Sequence, residues 1–324
     1  MSFKDIRGEA SAIAFLKNAV SAGRVASAYI FLGVSGCGKM LAAMNFAKLL
    51  NCAGPADGEP CEDCASCVKI NARSHPDVKI FEKEDGKSEF GIDVVLEAVR
   101  SITLKPYEAR KKVFVIDDAD MMSEEASNAV LKTLEEPPQD SILILIVEDI
   151  RSISQTIRSR SQTVKFFPMP VRDIEDILTR EHRLPHDTAA ILAGLSQGSI
   201  GKALRYSKNG FLEKRDRVID GLRAGKLLDS DLEKAKRSEL VEYLDIMLSW
   251  YRDVLVTKAY GAASGAPILN ADRSREAAKD AASFSFAYLD KAVNAIADTR
   301  SDLDKNANTK LAMNVLGIRL EERG

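Results

Sequence analysis

A chain of 324 residues, 45% of them hydrophobic, holds apolar material for two or three packed domains. Its formal net charge of -2 excludes a protein that coats nucleic acid on charge alone. No run of about eighteen uncharged apolar residues occurs, and the N-terminal MSFKDIRGEA lacks an apolar core of signal-peptide length, so a soluble, cytoplasmic protein with no membrane partner is expected.

In chain order, Ile6, Ala10, Ile13, Leu16 and Val20 recur at helical spacing and predict a helix from about Phe3 to Arg24. Ala28 to Leu32 reads as a core strand. It runs into Gly33, Val34, Ser35, Gly36, Cys37, Gly38 and Lys39, followed by a predicted helix from Leu41 toward Leu50. Glycines let successive backbone N–H groups converge on one concavity, and the helix N-terminus behind them favours an anion such as a polyphosphate. Lys39 holds the lysine position of the G-x-x-x-x-G-K-[ST] pattern, where an ammonium reaches β- and γ-phosphates. Met40 stands where a hydroxyl would ligate Mg²⁺, so bound ATP or ADP is expected to be held weakly or without hydrolysis. The alternative is a Gly-rich turn with no ligand, in which Cys37 is simply a residue small enough to fit.

Four of the five cysteines, Cys52, Cys61, Cys64 and Cys67, form a C-x8-C-x2-C-x2-C array within sixteen residues. Four thiolates at this spacing suit a structural, tetrahedral Zn²⁺ in an insertion over 51–70; a redox relay or an iron–sulfur cluster is the alternative. His75 is expected as a surface or loop histidine. Val78 to Phe81 is a second strand candidate, and the charged run Glu82 to Glu89 reads as an exposed loop or hairpin tip.

Ile92 to Thr103 has an amphipathic helical pattern that Lys105-Pro106 ends. Arg110, Lys111 and Lys112 read as a solvated strand entrance, or else as a nucleic-acid contact. The strand Lys112 to Ile116 ends in Asp117 and Asp118, either the acids that orient metal and water beside a phosphate loop or a pair of helix-capping aspartates. Ser123 to Glu136 is helical up to Pro137-Pro138, and Ser141 to Val147 is a continuous apolar strand. Strand and helix alternating in this way predict an α/β fold with a parallel sheet covered on both faces. Arg158 and Arg160 follow in DIRSISQTIRSRS, either reaching a neighbouring subunit's phosphates or pairing with a surface carboxylate.

Pro168-Met169-Pro170 marks a boundary. The reading divides the chain into a nucleotide-binding-like domain over 1–167, a small helical lid over 168–207 and an all-α domain over 208–324, interrupted by a flexible Gly261 to Pro267. Leu244, Met247, Leu248, Tyr251 and Leu255 trace one apolar helix face, and Leu311, Val315 and Ile318 another; both are expected in the core.

Together, ASAYIFLGVSGCGK, the four-cysteine array, SHPDV, KVFVIDDADMM, SNAVLKTLEEPP and TIRSRSQ resemble the AAA+ clamp-loader family of bacterial DNA polymerase III. The likeness spans about Phe3 to Ser207 and fades to NANTKLAMNVL in the last third. It implies an AAA+ P-loop domain, a lid, and a C-terminal helical collar that holds a hetero-pentamer of gamma/tau-type motor subunits and a delta-type subunit. That assembly places a sliding clamp on primed DNA.

By the same resemblance Gly33 to Lys39 are the phosphate loop and Asp117 the metal-side acid. Asp118 replaces the usual Glu, and Gly201 falls where motor subunits carry a lid arginine. Arg160 matches the arginine that acts on an adjacent subunit's ATP. These departures imply a scaffold subunit that completes a neighbour's site without intrinsic ATPase. The alternatives are a competent motor subunit and an unrelated zinc-bearing nucleotide module such as a branch-migration motor.

Overall fold

The computed structural model describes residues 2–82, 92–225, 235–261, 268–304 and 307–321. It divides into two compact units, residues 1–169 and 170–324.

The first unit is built on five parallel strands, β1 (Ala28–Leu32), β2 (Val78–Phe81), β3 (Lys112–Ile116), β4 (Ser141–Val147) and β5 (Gln162–Lys165), in the order β2-β3-β4-β1-β5. Successive side chains of a strand point to opposite faces, and here both faces are covered. Tyr29 and Phe31 join one core with Leu16 of α1 (Ala10–Ser21) and with Ala43 and Phe46 of α2 (Lys39–Asn51). Ala28 and Ile30 join the other, with Val95 and Ile102 of α4 (Ile92–Ile102) and Val130 and Leu134 of α5 (Glu124–Glu135). This two-sided burial is why β3 and β4 read as unbroken apolar runs. Between α2 and β2 lies the short α3 (Ala65–Asn71), and α6 (Gln155–Ser159) precedes β5.

The expected first helix is broken. Phe3–Asp5 forms a single 3-10 turn, and α1 begins only at Ala10, because Gly8 takes φ +80°, which a helix excludes. Ile6, counted in the helical stripe, packs instead against the phosphate loop, with Cγ2 3.2 Å from the position a Cβ on Gly38 would take. The charged run that follows Glu82 lies outside the described residues, as do residues 262–267 of the expected flexible stretch.

The second unit is helical: α7 (Val171–Arg180), α8 (His186–Leu195), α9 (Ile200–Lys208), α10 (Phe211–Arg223), α11 (Arg237–Tyr260), α12 (Ser274–Ser283), α13 (Phe286–Asp304) and α14 (Thr309–Glu321). On α11, Leu244, Met247 and Tyr251 are buried as expected, while Leu248 and Leu255 of the same stripe are half-buried. The α14 stripe is not. Leu311, Val315 and Ile318 are 64%, 39% and 63% exposed, while Met313, Leu316 and Leu320 on the opposite side face the core. Among the described residues no helix is long and apolar enough to cross a membrane.

Candidate functional site

In a parallel sheet all strands deliver their C-terminal ends to one edge, where ligands of open α/β sheets bind. At that edge β1 runs out into Gly33, β3 into Asp117 and β4 into Glu148. Gly33 donates its N–H to Val147 O at 3.1 Å, and Asp117 its N–H to Phe81 O at 3.0 Å. Gly33 is confined to glycine by closeness: a Cβ there would lie 2.6 Å from Phe166 O.

A cleft of about 350 Å³ opens on this edge. Ser35, Gly36, Gly38, Lys39 and Met40 line it together with Asp117 and Asp118, so the structure gathers most of the phosphate-loop and acid residues in one place. Cys37 is buried beneath the loop, its Sγ 3.1 Å from where a Gly33 Cβ would sit, and burial raises its thiol pKa. Lys39 is 6% exposed and donates to Val34 O at 2.8 Å and to Gly33 O. Its ammonium is therefore engaged by the loop's own carbonyls.

Glu148 also lines the cleft, a residue that sequence reading passed over. Its position directly after the SILILIV run, at the same edge as Asp117, is the signal that could have found it. Burial, with Asp118 next to it, raises the pKa of Asp117. Asp118 sits in the left-handed region at φ +50° and donates its N–H to Asp117 Oδ1 at 3.1 Å. Three carboxylates thus share the cleft with one ammonium, and the thioether of Met40 supplies no metal ligand. Chemically the arrangement can cradle phosphates through backbone amides, but it repels them with its acids and lacks the hydroxyl that would bring Mg²⁺ to compensate.

A second missed acid lies behind the loop. Glu9 is 4% exposed and accepts the Phe167 N–H at 2.9 Å. Burial raises its pKa to about 7 against the pull of that N–H and of Lys39. Because the folded chain holds this proton more tightly than the unfolded one, stability falls as pH climbs from about 4.5 to 7 and stays lower above that window. Glu9→Gln keeps an acceptor for Phe167; it is expected to flatten the slope and to raise stability at pH 8 by roughly 2–3 kcal/mol in urea unfolding. Superimposable pH profiles for the two proteins would refute this.

Arg160 is not among the residues lining the cleft. It caps the C-terminus of α6, 40% exposed, with Nη2 3.5 Å from Glu135 Oε1 and Nη1 donating to Thr156 O at 3.4 Å. An exposed pair of this kind contributes little, about 0–1 kcal/mol, so the side chain is readily released.

The four cysteines meet. Cys52 caps α2, Cys64 precedes α3 and Cys67 lies in it; the four Sγ atoms lie within 4.8 Å of one another, and none is in a disulfide. Zn–S bonds of about 2.3 Å in a tetrahedron place sulfurs about 3.8 Å apart, so the donor set fits a four-coordinate ion with no open position. Cys61 N–H points to Cys52 Sγ at 3.2 Å and Cys64 N–H to Cys61 Sγ at 3.4 Å, the amide–sulfur bonds that favour thiolates. The module is tied to the unit's body by Glu62 with buried Lys48 at 2.5 Å, and by Glu59 with Lys17 at 2.6 Å and Phe3 N at 3.1 Å.

His75 is in a loop, one of the two places expected for it, but it is buried there and not on the surface. Its Nδ1 accepts the Asp77 N–H at 3.1 Å, and Nε2 faces Glu108 at 3.6 Å, so the ring serves the local backbone and stays outside the cysteine cluster. Of the basic cluster, Lys112 is buried and caps the end of α4, donating to Ser101 O at 3.0 Å and Leu104 O at 2.7 Å.

The family described as "DNA polymerase III, delta subunit" matches residues 8–170, half of the chain. The chain belongs to this DNA polymerase III clamp-loader family. Within the family it is 36% identical over 207 residues to the DNA polymerase III subunit delta' of Bacillus subtilis, covering 63% of this chain and 61% of that protein. It is 30% identical to the subunit delta' of Pseudomonas aeruginosa over 70% of each chain. The gamma/tau subunit of Mycobacterium tuberculosis is 35% identical over 55% of this chain, which spans about a third of that relative's length. Among solved structures, a gamma subunit-related protein of Thermotoga maritima aligns with 96% of this chain and 99% of its own at 16% identity and a TM-score of 0.42. The α/β AAA+ fold with a helical C-terminal region, expected for a clamp-loader protein, is the fold observed.

Proposed function

We propose that the chain is a delta-prime-like scaffold subunit of a bacterial DNA polymerase III clamp loader, working in the cytoplasm, and that it lends Arg160 to the ATP site of an adjacent gamma/tau-type subunit. The observation that carries this reading is a division of groups. Met40, Asp118, Glu148 and a Lys39 engaged by its own loop leave the cleft poor in hydrolytic chemistry, whereas Arg160 stands outside it, exposed and held by one long ion pair with Glu135 and one long hydrogen bond to Thr156 O. On this reading the cleft holds nucleotide weakly or not at all, Gly33 to Lys39 with Asp117 being what remains of its binding apparatus. Cys52, Cys61, Cys64 and Cys67 hold a structural Zn²⁺ that supplies cross-linking and no catalytic position.

The helices over 168–207 act as a lid, and those over 208–324 as a collar joining motor and delta-type subunits in a hetero-pentamer that opens a sliding clamp for primed DNA. The outward Leu311, Val315 and Ile318 of α14 suit that role, since an exposed apolar stripe is covered by a partner. The competent-motor alternative draws on the likeness to gamma/tau relatives, but it needs a hydroxyl after Lys39 and a lid arginine at Gly201, and the chain has neither. Native mass measurement on a mixture of this chain with gamma/tau-type and delta-type subunits is expected to show one defined assembly with a single copy of this chain. Failure to enter any such assembly would contradict the scaffold reading.

A further inference from the structure

The loop between α4 and β3, residues 103–111, is fastened at several points. Asp77, 2% exposed, accepts three successive N–H groups, from Tyr107 at 2.8 Å, Glu108 at 2.8 Å and Ala109 at 2.9 Å. Asn51 Oδ1 accepts the Lys111 N–H and its Nδ2 donates to Lys111 O, both at 2.9 Å. Lys69 of α3 contacts both oxygens of Glu108 at 2.7 Å.

What this frame displays is not used internally. Tyr107 is 86% exposed, and Lys105 and Arg110 on either side of it are exposed, with no ion pair to any described residue. Among the described residues, the acids in contact with the loop and its frame are already committed: Glu108 to Lys69, Asp140 to Lys111 at 2.6 Å, and Asp77 to the loop amides. Among the described residues named here, five cations, Lys69, Lys105, Arg110, Lys111 and Lys112, stand against these three carboxylates; Lys112 is buried on backbone carbonyls, and the exposed cations without a carboxylate among them are the two that flank the ring.

We propose that this loop is a contact for single-stranded nucleic acid, in which Tyr107 stacks on a base while Lys105 and Arg110 take phosphates. An aromatic face beside unpaired cations is the combination that binds single strands without sequence preference. Peptides, by contrast, are captured by sheet edges or by grooves that take several side chains, and one ring on a turn offers a single flat face. The proposal stands apart from the role given to Arg160, and neither fails with the other.

The test is fluorescence anisotropy of a labelled oligothymidylate titrated with the whole 324-residue chain at low salt. Saturable binding is expected, weakened about 5- to 150-fold by Tyr107→Ala and largely retained by Tyr107→Phe. The Lys105→Ala/Arg110→Ala double variant is expected to reduce the slope of log K against log salt by about 1.4, two phosphate contacts' worth. All four proteins carry exposed substitutions or none, and circular dichroism checks that they fold alike. Absence of binding at low salt, or binding indifferent to Tyr107, would overturn the proposal. So would Tyr107-dependent capture of a polyglutamate peptide with no such dependence for the oligonucleotide, which would make the loop a contact for an acidic protein.

Discussion

In an assembly reconstituted with gamma/tau-type and delta-type subunits, Arg160→Ala is expected to cut ATP turnover about 10³-fold or more at the one motor site it faces, with the assembly's mass unchanged. The size follows from what a guanidinium supplied in trans does: it offsets charge that develops on the transferred phosphoryl oxygens, an effect of about 10³ to 10⁵ in turnover. Total phosphate release falls by that site's share, so single-turnover measurement is the sharper reading. Arg160→Lys should recover little, because an ammonium lacks the planar fork of donors that spans two oxygens. If Arg160 were only a surface partner of Glu135, 3.5 Å away, its loss would cost at most about 1 kcal/mol of stability and nothing in turnover. The two cases differ by orders of magnitude.

The second large effect belongs to the cysteine module. Metal analysis of the purified chain is expected to give about one zinc ion per molecule, and Cys52→Ser or Cys67→Ser to reduce it severely, since these two ligands are the buried ones. Structural zinc sites contribute about 10–16 kcal/mol of apparent binding energy, which here would order a segment with little apolar core of its own. Chelation should therefore open 52–64 to proteolysis. The ties from Lys48 to Glu62 and from Lys17 to Glu59 anchor the module to α2 and α1 but do not replace the ion. The helices of residues 170–324 should keep their protection. Substoichiometric metal together with an unchanged proteolytic pattern would contradict a structural zinc.

The strands β1 to β4, the glycine-rich loop and the cysteine cluster were legible in the sequence because each has a local cause, whereas the short, mostly polar β5, QTVK, carries no such pattern. A strand buried on both faces must be continuously apolar, a loop that lets Phe166 O approach Gly33 must carry glycine, and four closely spaced thiols need no distant partner. What escaped depends on neighbours remote in sequence. Glu148 is marked locally as the residue after an apolar strand, but it belongs to the cleft because β4 pairs with β1 and β3, and that pairing is not local. Glu9 owes its raised pKa to burial in the finished fold, where it accepts the N–H of Phe167, 158 positions away, a bond that opposes the rise. His75 looked like a loop residue and is one, yet Asp77 and Glu108 enclose it. α14 shows the limit of periodicity most clearly: with Leu311, Val315 and Ile318 on one side and Met313, Leu316 and Leu320 on the other, the helix is apolar twice over, and spacing does not say which side meets the core.

The central claim is that this chain's own cleft is idle while its arginine works elsewhere. Its most direct test compares phosphate release by two reconstituted assemblies, one carrying Lys39→Met in this chain and the other Arg160→Ala. The account predicts that the Lys39→Met assembly turns over ATP at the unsubstituted rate and that the Arg160→Ala assembly loses the contribution of the site it serves. A marked loss with Lys39→Met and none with Arg160→Ala would contradict it.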